Sequence, residues 1–151
     1  MQHFERNNSS ILIAEDDPDD RLMLQEAFNE NNINDTLSFV ESGDKVMTFL
    51  RSALDEQSIP LPNLILLDLN MPKLDGRGVL KQLKADPETQ DIPVVILTTS
   101  KAEEDRQSVF ELGASDFFTK PASFNELVEI TSSILQKWFL NNNSLKNQIA
   151  T

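Results

Sequence analysis

The sequence predicts an α/β fold in which a doubly wound parallel sheet of five strands carries five helices. Short apolar runs alternate along the chain with segments of helical periodicity, and three of the runs are apolar at every position. A strand that is apolar throughout is buried on both faces, which is typical of a parallel sheet covered by helices on both sides.

Each predicted unit is a strand followed by a helix. The strands are expected at residues 11–14, 36–40, 64–67, 94–97 and 117–119. The helices are marked by apolar residues at helical spacing: Leu24, Ala27 and Phe28; Val46, Phe49 and Leu50; Val79, Leu80 and Leu83; Val109 and Leu112; and Leu127, Ile130, Ile134 and Trp138. Asp17 with Pro18 predicts the start of the first helix, and Gly113 the end of the fourth.

The length of 151 residues suits one domain. We place this domain at residues 10–140, after a flexible N-terminal arm at residues 1–9 and before a C-terminal tail at residues 141–151. No apolar run approaches the roughly 20 residues needed to cross a bilayer, and the first ten residues lack the apolar stretch of a signal peptide. The sequence therefore predicts a cytoplasmic protein.

The amino-acid composition disfavours or excludes several classes of function. A net charge of −12 disfavours nucleic acid and anionic membrane partners. The absence of cysteine excludes disulfides and thiolate metal sites, and His3, the only histidine, nearly excludes a histidine-based zinc site or a Ser-His-Asp triad.

Functional side chains follow four of the predicted strands at the point where each strand ends. Glu15 and Asp16 follow the first strand, Asp68 the third, Thr98 the fourth and Lys120 the fifth. Right-handed crossovers bring the carboxyl ends of parallel strands to one edge of the sheet, where ligands bind. We therefore expect these five residues to form one site.

The residue types at this edge suit phosphoryl transfer. Crowded carboxylates raise one another's pKa unless a cation neutralises them, and oxygen donors without histidine or cysteine suit Mg²⁺. The Asp68 carboxylate is then the nucleophile that forms an acyl phosphate. A metal ion, the Lys120 ammonium and the Thr98 hydroxyl would stabilise the charge on the phosphoryl oxygens.

Each of these residues also has a plainer interpretation. Acids favour helix N-termini, which accounts for Asp17, Asp19 and Asp20. Asp68 alone would be read as a turn cap. Lys120 alone would be read as a surface lysine, but Pro121 restricts it to extended conformations, and a cis Lys120–Pro121 bond would aim the ammonium inward.

These residues together resemble a known family. The segment 67–72, with the sequence LDLNMP, is similar to the phosphoacceptor motif of two-component receiver domains. Glu15 and Asp16 match the acidic pair of that family, and Thr98 matches its switch hydroxyl. Lys120 and Pro121 match its lysine and cis-proline. The resemblance covers residues 10–140 and implies a flavodoxin-like sheet with strand order 2-1-3-4-5.

The resemblance also implies roles for individual residues. Asp68 would accept a phosphoryl group from a sensor histidine kinase and, with Asp16, bind Mg²⁺ directly. The backbone carbonyl of Asn70 would be a further ligand, and Glu15 would act through water. Phe117 stands where the family has a rotating aromatic residue, although here it lacks the tyrosine hydroxyl that many members carry.

Two features concern partners. The segments 58–63 and 72–80 are similar to small regulators paired with bacterial phytochrome kinases, and the signal would pass to a downstream protein target. Apolar residues around Trp138 extend beyond the expected end of the sheet. They indicate either a homodimer through the fourth helix, fifth strand and fifth helix, or a C-terminal turn folded back over the domain.

Three alternative functions share this fold or chemistry. A flavoprotein would follow its first strand with small residues that cradle phosphate, not with acids. An aspartyl-phosphate hydrolase expects a second aspartate as general acid two residues after Asp68, where this chain has Asn70. The third alternative is a metal-free scaffold that has lost phosphorylation.

Overall fold

The computed structural model of the chain describes residues 10–31, 37–56 and 59–140. The strands are β1 (Ile11–Ala14), β2 (Leu37–Val40), β3 (Leu64–Leu67), β4 (Val94–Thr98) and β5 (Asp116–Thr119). The helices are α1 (Pro18–Glu30), α2 (Gly43–Glu56), α3 (Gly76–Ala85), α4 (Glu103–Glu111) and α5 (Phe124–Leu135), and a π-helical turn (Gln136–Leu140) follows α5. The predicted arm, the predicted tail and Thr36, the expected start of the second strand, lie outside the described residues.

The sheet confirms the predicted fold class. Its strand order is β2-β1-β3-β4-β5, and all four neighbouring pairs are parallel. β2 lies on one side of β1 and β3 on the other, so the direction in which the chain adds strands to the sheet reverses after β2. The carboxyl ends of β1 and β3 are therefore neighbours at the point of reversal, where open α/β sheets bind ligands.

Two separate cores explain why the central strands are apolar throughout. On one face, alternate residues of β1, β3 and β4 pack against α2, α3 and α4. On the other face, the remaining residues of the same strands pack against α1 and α5. Successive strand residues point to opposite faces, so a strand between two helical layers requires an apolar side chain at every position.

The predicted helix boundaries at Asp17 and Gly113 are confirmed. The Asp17 carboxylate accepts hydrogen bonds from the backbone N–H groups of Asp19 (2.9 Å) and Asp20 (3.5 Å), and Pro18 is the first residue of α1. Gly113 follows the end of α4 with φ of +107°, a left-handed conformation that glycine adopts without strain.

The C-terminal turn differs from the single long helix that the sequence predicts. Trp138 and Phe139 lie in the π-helical turn and pack against the core shared by α1 and α5, and Phe139 is only 9% exposed. The prediction that the apolar surface around Trp138 extends beyond the domain is therefore wrong for these two residues, because both pack on it. The alternative interpretation, a turn packed back on the domain, agrees with the structure. None of the helices within the described ranges has the length and apolar character needed to cross a bilayer.

Candidate phosphoryl-transfer site

The carboxyl edge of the sheet brings the predicted acids together. Glu15 and Asp16 follow β1, and Asp68 follows β3. Each offers a carboxylate oxygen, and these three oxygens lie within 4.8 Å of one another. The backbone N–H of Asp68 donates to the carbonyl of Ala14 at 3.2 Å, which continues the pairing of the two strands past their last residues and fixes the spacing of the acids.

Lys120 is the cation of this cluster. Its Nζ lies 2.6 Å from Glu15 Oε1, 2.8 Å from Asp20 Oδ2 and 3.1 Å from Asp68 Oδ2. Its side chain is only 14% exposed, so the plainer interpretation of a surface lysine is wrong. Burial lowers the pKa of Lys120, but the hydrogen bonds to Asp20 and Glu15 and the charge of Asp68 outweigh it and raise the pKa above its ordinary value. The amine therefore stays protonated.

The inward direction of Lys120 does not come from a cis bond. No peptide bond in the described ranges is cis, so the predicted cis Lys120–Pro121 bond is wrong. The trans form of an X–Pro bond is favoured by about 0.5–1 kcal/mol, and nothing here requires that preference to be overcome. Instead, the backbone N–H of Lys120 donates to the carbonyl of Thr98 at 2.7 Å, extending the β4–β5 pairing by one residue and orienting the side chain.

Glu15 is deeply buried for an acid. It is 2% exposed, and its Oε2 accepts a hydrogen bond from the backbone N–H of Asp17 at 3.1 Å. Burial raises the pKa of Glu15 above its ordinary value despite the hydrogen bond from Lys120, and the charge of Asp68 adds to the increase. The raised pKa of Glu15 therefore comes mainly from its burial.

The two oxygens of Asp68 have different partners. Oδ2 faces Lys120, while Oδ1 accepts a hydrogen bond from the backbone N–H of Asn70 at 3.2 Å. The side chain is 7% exposed. The segment after it is tightly packed, because a Cβ on Gly76 would lie 2.7 Å from the backbone oxygen of Asp68. The carboxylate is thus fixed from both sides. The predicted ligand role of the Asn70 carbonyl stays a prediction.

The acids fit a hard divalent cation. The three carboxylates provide only oxygen donors, which Mg²⁺ prefers. Glu15 and Asp68 are buried whereas Asp16 is exposed, so the cluster opens to solvent on one side. Such an opening suits Mg²⁺, which retains several of its water ligands in proteins.

Thr98 links the site to α4. Its side chain is fully buried at the end of β4, and its hydroxyl oxygen accepts a hydrogen bond from the backbone N–H of Ser100 at 3.5 Å. The Ser100 hydroxyl donates to Asp105 Oδ2 at 2.5 Å, and Asp105 forms an ion pair with Arg77 of α3. The loop after the predicted switch hydroxyl is therefore tied to two helices.

Phe117 lies under a cation that the sequence analysis did not identify. The ring is 8% exposed, and the guanidinium carbon of Arg106 lies 5.9 Å from its centroid and 5.2 Å from that of Phe110. This cation–π contact requires only an aromatic ring, so Phe117 makes it without the hydroxyl that a tyrosine would carry.

Two contacts at the acid cluster were also missed. Asp20 was assigned only to the helix N-terminus, yet it contacts Lys120 directly. Arg21 donates to the backbone carbonyls of Glu15 (3.2 Å) and Asp16 (3.4 Å) and so fixes the acidic loop. Helical side chains point toward the helix N-terminus, which is the signal that places both residues of this first turn near the site.

The fold and the site define the class of this protein, and comparison with known proteins agrees. The family model of the response regulator receiver domain matches residues 11–132, so the chain belongs to the receiver domain family of two-component signalling proteins.

The similar proteins include regulators associated with phytochromes. Response regulator Rcp1 of Synechocystis sp. (strain ATCC 27184 / PCC 6803 / Kazusa) is 38% identical over 128 residues, which cover 85% of this chain and 87% of the relative. The crystal structure of the phosphorylated cyanobacterial phytochrome response regulator RcpA has 36% identity and a TM-score of 0.78, covering 86% of this chain and 93% of that one. The Mn²⁺-bound form of response regulator Rcp1 has 37% identity and a TM-score of 0.77, covering 87% and 94%.

Proposed function

We propose that Asp68 accepts a phosphoryl group from a sensor histidine kinase in a Mg²⁺-dependent reaction, and that the chain signals through protein contacts. The observation that carries the proposal is the position of the buried Asp68 carboxylate, with Lys120 Nζ 3.1 Å away and oxygens of two further carboxylates within 4.8 Å. A nucleophile, a fixed ammonium and a cation-binding acid cluster together favour acyl phosphate formation.

The proposed step transfers phosphorus from nitrogen to oxygen. A carboxylate oxygen of Asp68 attacks the phosphorus of a phosphohistidine, the P–N bond breaks, and the imidazole leaves with the electron pair and gains a proton. Lys120 places its ammonium beside the phosphoryl oxygens, and Thr98 offers a buried hydroxyl as hydrogen-bond donor. Mg²⁺, held by Asp16 and Asp68 with Glu15 acting through water, would neutralise charge on the transferred group.

A small phosphodonor tests the proposal against its alternatives. Incubation with acetyl phosphate and Mg²⁺, followed by intact-mass spectrometry, should show stable incorporation of one phosphoryl group. Continuous release of phosphate without incorporation would indicate a hydrolase, and no reaction would indicate a scaffold. Asn70 supports the first outcome, because an amide two residues after Asp68 cannot supply the general acid of a hydrolase.

The proposed donor is a phytochrome-type histidine kinase. The support is the similarity to Rcp1 and to the phytochrome response regulator RcpA, over more than four fifths of the chain in each case. We propose a cytoplasmic location, where such a kinase would find ATP, and a downstream protein target. The net charge of −12 disfavours nucleic acid as that target.

Lys120→Ala should separate phosphorylation from conformational change. We expect the variant to bind Mg²⁺ and accept phosphate, but to lose the phosphorylation-induced NMR shifts around Phe117 and Thr98, because no ammonium draws β5 toward the phosphoryl group. Lys101→Ala, which removes an exposed lysine three residues after Thr98, is the matched control and should keep those shifts. Unaltered shifts in Lys120→Ala would refute this role for the lysine.

A homodimer through α4, β5 and α5 remains part of the proposal. Its structural support is Phe110 of α4, one of the few large apolar side chains that stay exposed within the described ranges. Light scattering should show association that rises with protein concentration and strengthens on phosphorylation. Phe110→Glu should weaken association, whereas Leu22→Glu on the exposed surface of α1 should not. A monomer under all conditions would contradict the dimer.

A further inference from the structure

Asp20 occupies a place in the acid cluster that the proposed reaction does not use. It lies on the first turn of α1, and its Oδ2 is 2.8 Å from Lys120 Nζ, closer than the oxygen of Asp68 at 3.1 Å. A helix N-terminus explains why an acid is tolerated here, but it does not explain a contact with the lysine of the site. The role of that contact depends on how many carboxylates the Lys120 ammonium can bind at once.

An ammonium group has three N–H donors. Lys120 has three carboxylate partners, Glu15, Asp20 and Asp68, all within 3.1 Å. The contacts to Asp20 and Asp68 have hydrogen-bond geometry, and the Glu15 contact is an ion pair, so carboxylates already hold the ammonium before any phosphoryl group is present. A phosphoryl oxygen that binds Lys120 must therefore compete with these carboxylates for it.

Asp20 is the partner that can leave at least cost. The Glu15 side chain is 3% exposed, so bulk solvent would compensate poorly for the loss of Lys120, while Asp68 itself carries the phosphoryl group. The Asp20 side chain is 36% exposed, so water can solvate its carboxylate as soon as the ammonium moves away. Ion pairs with an exposed partner are weak, whereas a pair with a buried one is costly to break.

We propose that Asp20 is a positioning residue that holds Lys120 in the unphosphorylated protein and competes with the phosphoryl group for it. The contact sets the free-energy difference between the two states: a stronger Asp20–Lys120 pair favours the unphosphorylated arrangement. This inference rests on the proposed function of Asp68 and names a regulator of that same site.

Asp20→Asn tests the inference with beryllofluoride, a phosphoryl mimic that binds an aspartate without turnover. At saturating Mg²⁺, we expect the variant to bind beryllofluoride about five- to tenfold more tightly, because Lys120 no longer exchanges a charged partner for the ligand. Asp20→Glu keeps the charge and should stay closer to wild type.

Asp19→Asn is the matched control. It removes the same charge one residue away on the same turn, but Asp19 is exposed and makes no side-chain contact with Lys120 among the ion pairs of the described residues. A general electrostatic effect, or an effect on α1, would change both variants equally, whereas the inference requires a larger change in Asp20→Asn. The Lys120 Nζ resonance should also shift in Asp20→Asn and not in Asp19→Asn.

The outcomes separate the two proposals. Wild-type protein that fails to bind beryllofluoride would overturn the proposed function of Asp68 itself. Wild-type binding with equal or weaker affinity in Asp20→Asn, or with the same gain in Asp19→Asn, would overturn only the competition by Asp20.

Discussion

Asp68→Asn should abolish phosphorylation by acetyl phosphate while leaving the fold intact. The amide of asparagine is no nucleophile toward phosphorus, and Asp68 is the clustered acid that follows the central strand β3, with one carboxylate oxygen 3.1 Å from Lys120 Nζ. We expect no detectable mass increase after prolonged incubation, under conditions that fully modify the wild-type protein.

The fold should tolerate this change because asparagine has the shape of aspartate. Its side-chain oxygen can still accept the hydrogen bond from Asn70, and Lys120 keeps Glu15 and Asp20 as partners. Loss of a like charge also removes one cause of the raised pKa of Glu15, so that pKa should fall. Thermal unfolding without metal should occur at the wild-type temperature or above it.

Asp75→Asn is the control for the charge change. Asp75 lies seven residues further on and caps α3, where asparagine caps equally well. This variant should be phosphorylated like the wild type. Phosphate retained by Asp68→Asn in intact-mass spectra would instead show that another residue is the acceptor.

The fold could be predicted because its determinants are local and repeated. A strand such as residues 64–67, apolar at every position, can only be accommodated between two helical layers, and capping residues such as Asp17 mark helix starts independently of packing. The π-helical turn after Leu135 could not be predicted, since the apolar residues around Trp138 fit a continued helix equally well. Packing on the α1–α5 core distinguishes the two.

The site could be predicted as far as topology determines it. Parallel strands necessarily bring residues such as Asp68 and Lys120 to one edge. What topology does not determine is the direction of side chains that approach from a helix, and so Asp20 and Arg21 were missed. The predicted cis Lys120–Pro121 bond was wrong for the opposite reason. That prediction attributed the inward direction of the Lys120 side chain to the bond before proline, whereas the β4–β5 pairing provides this direction.

Removal of divalent metal should stop phosphorylation, and Asp16→Ala should reproduce this loss in part. Without a second cation, Glu15, Asp20 and Asp68 share the single ammonium of Lys120. Asp16 adds a further carboxylate to the cluster, and the remaining negative charge repels an anionic phosphodonor. Chelation should therefore leave no phosphorylated protein in intact-mass spectra, and added Mg²⁺ should restore it.

Asp16→Ala tests the ligand assignment apart from turnover. Asp16 is exposed, so its removal leaves no buried polar group unpaired and the fold should remain. Calorimetry should show Mg²⁺ affinity reduced by at least about tenfold, or about 1.4 kcal/mol. Asp19→Ala removes an exposed acid from the adjoining turn and should change the affinity far less, because Asp19 is not among the clustered carboxylates of the described residues. Equal Mg²⁺ affinity in Asp16→Ala and wild type would contradict direct ligation by Asp16, while phosphorylation of the metal-free protein would contradict the role of the cation in neutralising the cluster.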